Sequence, residues 1–277
     1  LIDLKWDTKA MSPNQYKLAD YIQKNFNHVL LSTEQEISDA LKISIATVSR
    51  FWRTVGYKNF KDFKATMRRQ LDVSPAGKME NIMNSVAGQE IEHHNLYVSI
   101  NHLQKTIEHF SDHSFNVAVE MLTTAKQIYI HSPGPSEGLG ALMTYRLSRF
   151  GLSLQSFEKG GSEILEDLLH LTKDDVVVLF AFVRILPEAK VILEHAKQIG
   201  FQTIIITDQL VSNFANYGDI VLFASRGEMW EFHSMVAPTF LIENLIITIG
   251  MKNKDANLQR LEQLSGLRKR YAEELPR

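Results

Sequence analysis

The chain has 277 residues, 44% of them hydrophobic, no cysteine, and a net charge of −2. That length and apolar content bury a real core and predict two domains. The absence of cysteine excludes disulfides, thiolate metal sites and thiol nucleophiles, and fits a cytoplasmic protein. No leader or membrane span is read from the sequence: its longest apolar stretch, 240–251, is interrupted by Glu243 and Asn244.

The charge is unevenly distributed. Residues 1–71 hold 12 Lys and Arg against 7 Asp and Glu, while the remainder holds 18 against 25. A basic head on an acidic body predicts that only the head meets a polyanion. The head begins with Ser12-Pro13-Asn14-Gln15, a capping serine, a proline at the first helical position and a glutamine three residues after the cap. Tyr16, Ala19, Ile22 and Phe26 continue from it at helical spacing, predicting a supporting helix.

Thr33 and Glu36 form a second capping box, opening a helix with Ile37 and Leu41 on its apolar stripe. Lys42, Ile43 and Ser44 break it, and Ser44 caps a second helix running to about Val55, whose Val48, Phe51, Trp52 and Val55 face the first. This pair reads as a DNA-binding helix-turn-helix. Ser44, Ile45, Ala46, Thr47, Ser49, Arg50 and Arg53 are left for a major groove, with small residues leading and cations behind. An ordinary helical hairpin is the alternative. A following helix through Phe60 and Phe63 presents Lys58, Lys61, Lys64, Arg68 and Arg69, candidates for phosphate contacts or for solvated surface.

Residues 72–78, DVSPAGK, are expected to interrupt any helix and serve as a linker between domains at 1–71 and 79–277. A long helix is predicted over 79–110, packing through Ile82, Val86, Leu96, Ile100, Leu103 and Ile107. His109 and His113 have helical metal-site spacing, but without a carboxylate or thiol cluster no metal is expected.

From residue 125 strand and helix alternate. Strands are predicted at 128–131, 153–157, 176–180, 203–207 and 220–223, and helices at 137–150, 162–170, 187–200, 211–217 and 231–251, followed by a charged helical tail from 254. This predicts an α/β domain, a five-stranded parallel sheet flanked by helices, with its ligand crevice at the carboxyl ends of the strands. There the first strand feeds His131-Ser132-Pro133-Gly134-Pro135-Ser136, a small-residue loop expected to offer free backbone N–H groups to an anion at a helix start. A dinucleotide site with Glu158 on the ribose is disfavoured, because Gly134, Gly138 and Gly140 do not follow the G-x-G-x-x-G order. No cofactor is expected.

Ser44, Ala46-Thr47-Val48, Arg50-Phe51, Arg53, Gly56-Tyr57, Phe60 and Lys64 match the S-x-A-T-V-x-R-F-x-R-x-x-G-Y-x-x-F-x-x-x-K pattern, and this region resembles the helix-turn-helix of RpiR-type bacterial transcription regulators. The second half resembles a sugar isomerase (SIS) domain: Gly134 and Ser136 match two places of its G-x-G-x-S loop, 204–207 matches its fourth strand, and Tyr217-Gly218-Asp219 is similar to the A-D before its fifth. The resemblance implies an N-terminal all-α DNA-binding domain and a C-terminal SIS fold. It also implies a double-stranded DNA operator, a small-molecule effector such as a phosphosugar, and a homodimer that sets the separation of two DNA heads.

The departures bear on chemistry. The loop that wraps phosphate in such domains is commonly S-x-S-G-x-T, and its counterpart here, 181–188, has no hydroxyl; Ser132 stands where the first loop glycine would be. Arg184 is the candidate replacement anion clamp, giving an effector site of Ser132, Gly134, Ser136 and Arg184. The alternatives are a domain that only dimerises, or an isomerase using Glu228, Glu231 and His233 as acid and base. No catalytic residue is assigned.

Overall fold

The computed structural model describes residues 6, 11–70, 75–85, 91–210, 217–227 and 231–275. The chain separates into two compact units, Leu1–Glu80 and Asn81–Arg277.

In the first unit α1 (Pro13–Lys24) and α2 (Phe26–Leu31) precede α3 (Glu34–Leu41), α4 (Ile45–Thr54) and α5 (Phe60–Gln70). The two capping boxes form as the sequence predicts: Ser12 accepts from the Gln15 N–H, and Thr33 from the Glu36 N–H at 3.2 Å. In return the N–H and hydroxyl of Thr33 donate to the Glu36 carboxylate, which holds its pKa below the ordinary value. The expected Tyr16 stripe is corrected. Leu18 faces the core in its place while Tyr16 is 57% exposed, and the helix stops at Lys24 before restarting at Phe26.

The core of this unit is aromatic. Trp52 is fully buried and stacks on Phe60 at 4.6 Å and on Phe63 at 4.7 Å, with Phe51 edge-on at 5.5 Å. Ile37, Leu41 and Val48 complete the contact between α3 and α4. Between those helices Lys42 adopts the left-handed conformation at φ 54° and ψ 46°. Ser38 closes the turn by donating its hydroxyl to the Ile43 carbonyl at 2.6 Å while its own carbonyl accepts the Ile43 N–H at 3.1 Å.

The expectation that 72–78 breaks any helix is overturned for 75–78, which begin α6 (Pro75–Ser85); 72–74 lie outside the described residues. Proline is tolerated there because the first turn of a helix needs no N–H donor. The predicted long helix is α6 and then α7 (Ile91–Glu108), with 86–90, and so Val86, outside the described residues. Its packing differs from the apolar pattern. Leu96, Ile100 and Ile107 are exposed, whereas His102 and Thr106 are buried. They are drawn inward by hydrogen bonds near the last strand: the Thr106 hydroxyl accepts the Ser225 N–H at 2.9 Å, and His102 Nδ1 meets the Ser225 hydroxyl at 3.2 Å.

After α8 (Asp112–Thr124) come β1 (Ile128–His131), α9 (Glu137–Leu147), β2 (Leu154–Ser156), α10 (Ile164–Leu168), β3 (Val176–Phe180), α11 (Pro187–Ile199), β4 (Gln202–Thr207), β5 (Ile220–Phe223), α12 (Val236–Lys252) and α13 (Lys254–Arg270). The strands pair in parallel in the order β2-β1-β3-β4-β5. Alternate side chains face opposite layers: Ile128, Ile130, Val176, Val178, Phe180, Ile204 and Ile206 pack with α8, α9 and α12, while Tyr129, Val177, Leu179 and Ile205 pack with α10 and α11. Asp219 fixes the register of β5 by accepting the N–H and the hydroxyl of Thr203, each at 2.8 Å. The predicted helix over 211–217 falls outside the described residues except for Tyr217. The predicted start of the last long helix at 231 moves to Val236. The tail helix α13 docks by Asn257, whose amide donates to the carbonyls of Ile249 and Gly250 at 3.3 and 3.0 Å.

Candidate DNA-reading face and effector crevice

On α4 the exposed residues are Ile45, Ala46, Ser49, Arg50, Arg53 and Thr54. Burying Val48, Phe51 and Trp52 against α3 forces the opposite face outward, a consequence of 3.6-residue periodicity. Ser44 caps the helix by accepting the Thr47 N–H at 3.2 Å, and its hydroxyl meets that of Thr47 at 2.8 Å. Ser49 donates its hydroxyl to Glu34 at 3.1 Å, and the same carboxylate accepts the Trp52 indole N–H at 2.9 Å. Glu34, which sequence reasoning passed over, therefore ties the exposed face to the aromatic core. Lys64, expected on phosphate, instead donates to the Ser32 carbonyl and lies 4.3 Å over the Phe60 ring. Lys58 and Lys61 are exposed at the start of α5, and the side chains of Arg68 and Arg69 lie outside the described residues.

In the second unit a cavity of about 250 Å³ opens at the carboxyl ends of β1, β3 and β5. Its wall among the described residues includes Ser136 and Arg184, the pair the sequence placed there, together with Phe182, Arg226 and His233. Arg184 is exposed overall, and among the described residues its guanidinium has no hydrogen-bond or ion-pair partner. Glu188, its nearest acidic competitor in sequence, accepts the Gly161 N–H at 3.1 Å, a bond that helps hold its carboxyl below the ordinary range after the larger effect of its own backbone N–H. Ile185 turns to the opposite face of the sheet and packs with the α10 and α11 layer.

The first loop is corrected in two respects. Ser132 does not line the cavity: its side chain lies against Gly140 of α9, where an added Cβ would come within 2.3 Å of the hydroxyl. Two of the expected free N–H groups are also engaged. Ser136 donates its N–H and its hydroxyl to the Pro133 carbonyl at 3.4 and 2.6 Å, and the Glu137 N–H bonds the Gly134 carbonyl. Gly134 itself sits at φ 58° in the short 3₁₀ turn Gly134–Ser136, the conformation that favours glycine, and does not touch the cavity.

Arg226, after β5, was missed. It is 6% exposed, its Nη1 lies 3.6 Å from Asp208 after β4, its guanidinium carbon stands 4.4 Å over the Phe182 ring, and its Nε has no hydrogen-bond partner among the described residues. Burial lowers the guanidinium pKa and Asp208 opposes that shift. Asp208 also accepts the Val183 N–H at 2.8 Å, while the Val183 carbonyl accepts the Gln209 amide. These bonds hold Val183 at φ 64°, with the Arg184 N–H closing on the Phe182 carbonyl at 2.6 Å. A β-branched residue there is strained by roughly 1–3 kcal/mol, and the strain aims the loop toward the crevice. The signal for Arg226 was available: the rule that ligands bind at the carboxyl ends of parallel strands applies to β4 and β5 as much as to β1 and β3.

Of the residues considered for acid–base chemistry, His233 lines the cavity and Glu231 folds over Gly227, both ahead of α12; Glu228 lies outside the described residues. His109 packs edge-on against Phe223 at 5.5 Å. Among the described residues no three His, Asp or Glu side chains could hold a metal, and no helix is long and apolar enough to cross a membrane.

A helix-turn-helix unit ahead of a three-layer domain with a parallel β2-β1-β3-β4-β5 sheet defines a two-part regulator class. Residues 2–74 match the helix-turn-helix domain of the rpiR family and residues 121–256 match the SIS domain, so the chain belongs to the RpiR-type transcription regulators. It is 24% identical over 269 residues to an uncharacterized HTH-type transcriptional regulator of Caldanaerobacter subterraneus subsp. tengcongensis, covering 93% of each chain. Among solved structures it is similar to the Vibrio vulnificus NanR protein complexed with ManNAc-6P (21% identity, TM-score 0.60, 96% of each chain). It is also similar to the sugar isomerase domain of an RpiR transcription factor from Sphaerobacter thermophilus (22% identity, TM-score 0.60, 64% of this chain and 99% of that one).

Proposed function

We propose that residues 1–71 read a DNA operator and that the domain over 79–277 binds a small anionic effector in its crevice and dimerises. The observation that carries this reading is the crevice itself: Ser136 and two arginines from separate strands meet at the carboxyl edge of the sheet, in a chain whose other unit exposes Arg50 and Arg53 on a recognition helix. The Vibrio protein, named with a bound phosphosugar, supports an anionic metabolite as the signal. Binding regulates DNA contact only if the effector prefers one arrangement of the heads over another. The crevice acts by binding rather than turnover, since the loop over 181–188 has no hydroxyl to anchor a sugar phosphate over an acid and a base. A cytoplasmic location is part of this proposal.

Fluorescence anisotropy on a duplex selected from a random library tests the DNA assignment. Arg50→Ala should weaken the selected duplex by about 1–3 kcal/mol more than a scrambled one, whereas Lys61→Ala should weaken both alike. Equal losses for Arg50→Ala would reduce it to a phosphate contact, and no binding by the wild-type chain would overturn the reading.

A further inference from the structure

We propose that the crevice takes a small monocarboxylate with a largely apolar body, gripped between Arg184 and Arg226, in place of a phosphate ester. This rests on reading the crevice as the effector site, and four observations support it.

A phosphate monoester brings three strong acceptor oxygens and close to two negative charges, and asks for a ring of donors. Three backbone N–H groups of the third-strand loop are turned elsewhere: Ala181 donates to the Ile206 carbonyl at 2.9 Å, Val183 to Asp208 at 2.8 Å and Arg184 to the Phe182 carbonyl at 2.6 Å. In the first loop the N–H groups of Ser136 and Glu137 are likewise taken, by the Pro133 and Gly134 carbonyls. The wall's fixed forks of charged donors are its two guanidinium groups.

The charge count agrees. Arg226 is matched by Asp208 at 3.6 Å, which leaves Arg184 as the arginine of the described wall without a carboxylate partner. One carboxylate is enough to neutralise that guanidinium.

Most of the remaining wall is apolar: Pro133, Pro135, Phe180, Phe182, Leu186 and Met235. The hydroxyls of a sugar would face these groups without partners, at a desolvation cost that an aliphatic or aromatic body avoids. The cavity, about 250 Å³, also suits a small ligand.

Arg226 is built to receive a planar anion. Stacking on Phe182 and pairing with Asp208 fix its plane before any ligand arrives, its Nε is uncommitted among the described residues, and a fixed guanidinium fork matches the two oxygens of a carboxylate.

Thermal-shift titration of the full chain against two probe sets at neutral pH tests the proposal. One set is 3-methylbutanoate, 2-oxoisovalerate and benzoate; the other is glucose 6-phosphate, N-acetylmannosamine 6-phosphate and inorganic phosphate. At least one carboxylate should raise the melting temperature with a saturable midpoint, and the phosphates should not. Arg184→Gln, at an exposed position and so tolerated by the fold, should weaken that midpoint tenfold or more. Arg226→Lys, which keeps the charge and loses the fork, should do the same. A response to phosphate esters with silence from the carboxylates overturns the carboxylate assignment and leaves the effector site standing. Silence from both sets overturns both, and a carboxylate response untouched by either substitution overturns the assignment by placing the binding elsewhere.

Discussion

The two units hold their arginines in opposite surroundings. Arg50 and Arg53 stand on the exposed face of a helix whose other side is locked into an aromatic core, so their chemistry is available without rearrangement. Arg226 is buried between a carboxylate and a ring, and its place depends on three separate strand ends meeting at one edge. The first arrangement follows from spacing within a few residues, and the second from tertiary structure alone. Recognition helices and ligand crevices are therefore unequal targets for sequence reasoning, even in one chain.

The sharpest way to break this comparison is to remove the core on which the first unit depends. Trp52 is fully buried, stacked on two phenylalanines and hydrogen-bonded to Glu34 at 2.9 Å. Trp52→Ala should destabilise the N-terminal unit by about 3–5 kcal/mol, as large aromatic-to-alanine changes do. Calorimetry should then show that unit melting early while the transition of the SIS domain stays in place. A common downward shift of both transitions would show that the two units are not energetically separate.

How much was legible follows the same division. The strands Ile128–His131, Val176–Phe180 and Ile220–Phe223 fall on the residues the sequence marked, because each, the edge strand Ile220–Phe223 included, is a largely apolar run bounded by turns. The caps Ser12, Thr33 and Ser44 were equally readable, since each acts on an N–H three residues away. Leu96 and Ile100 were misplaced for a physical reason: the hydrogen bonds of His102 and Thr106 to Ser225, more than a hundred residues on, decide which face of α7 turns inward. Ser132 was assigned to the ligand because loop position was visible and the close approach of Gly140 was not. Arg184 reached the crevice as expected, whereas its companion Arg226 carried no local motif at all.

A second test probes the burial of polar groups at the crevice edge. His131, at the end of β1, is buried with Nε2 lacking a hydrogen-bond partner among the described residues; burial lowers its pKa below the ordinary 6.5, and Glu188 only partly opposes this. The unfolded chain then binds more protons than the folded one below that value, so stability is full above it and is lost as the pH falls. The melting temperature of the SIS domain should drop between about pH 7 and pH 5.5, the range in which an unfolded histidine becomes charged. His131→Gln should flatten that dependence. An unchanged slope would assign the acid sensitivity to other groups.

The smallest expected effect sharpens the claim that the helix-turn-helix is locally determined. Lys42 ends α3 in the left-handed region, and its side chain is exposed. For a residue with a Cβ that conformation costs roughly 1–2 kcal/mol, which glycine escapes at the expense of about 0.4–1 kcal/mol of extra chain entropy in the unfolded state. Lys42→Gly should therefore stabilise the N-terminal unit by about 0.5–1 kcal/mol, and a change of that order moves the midpoint of a domain this size by a few degrees. Because Ser38 still closes the turn on Ile43, the recognition helix keeps its position and the discrimination between selected and scrambled duplexes should be unchanged. A fall in melting temperature would mean that the lysine stem contributes more to the turn than its exposure suggests. A loss of discrimination at unchanged stability would make Lys42 itself part of the DNA contact.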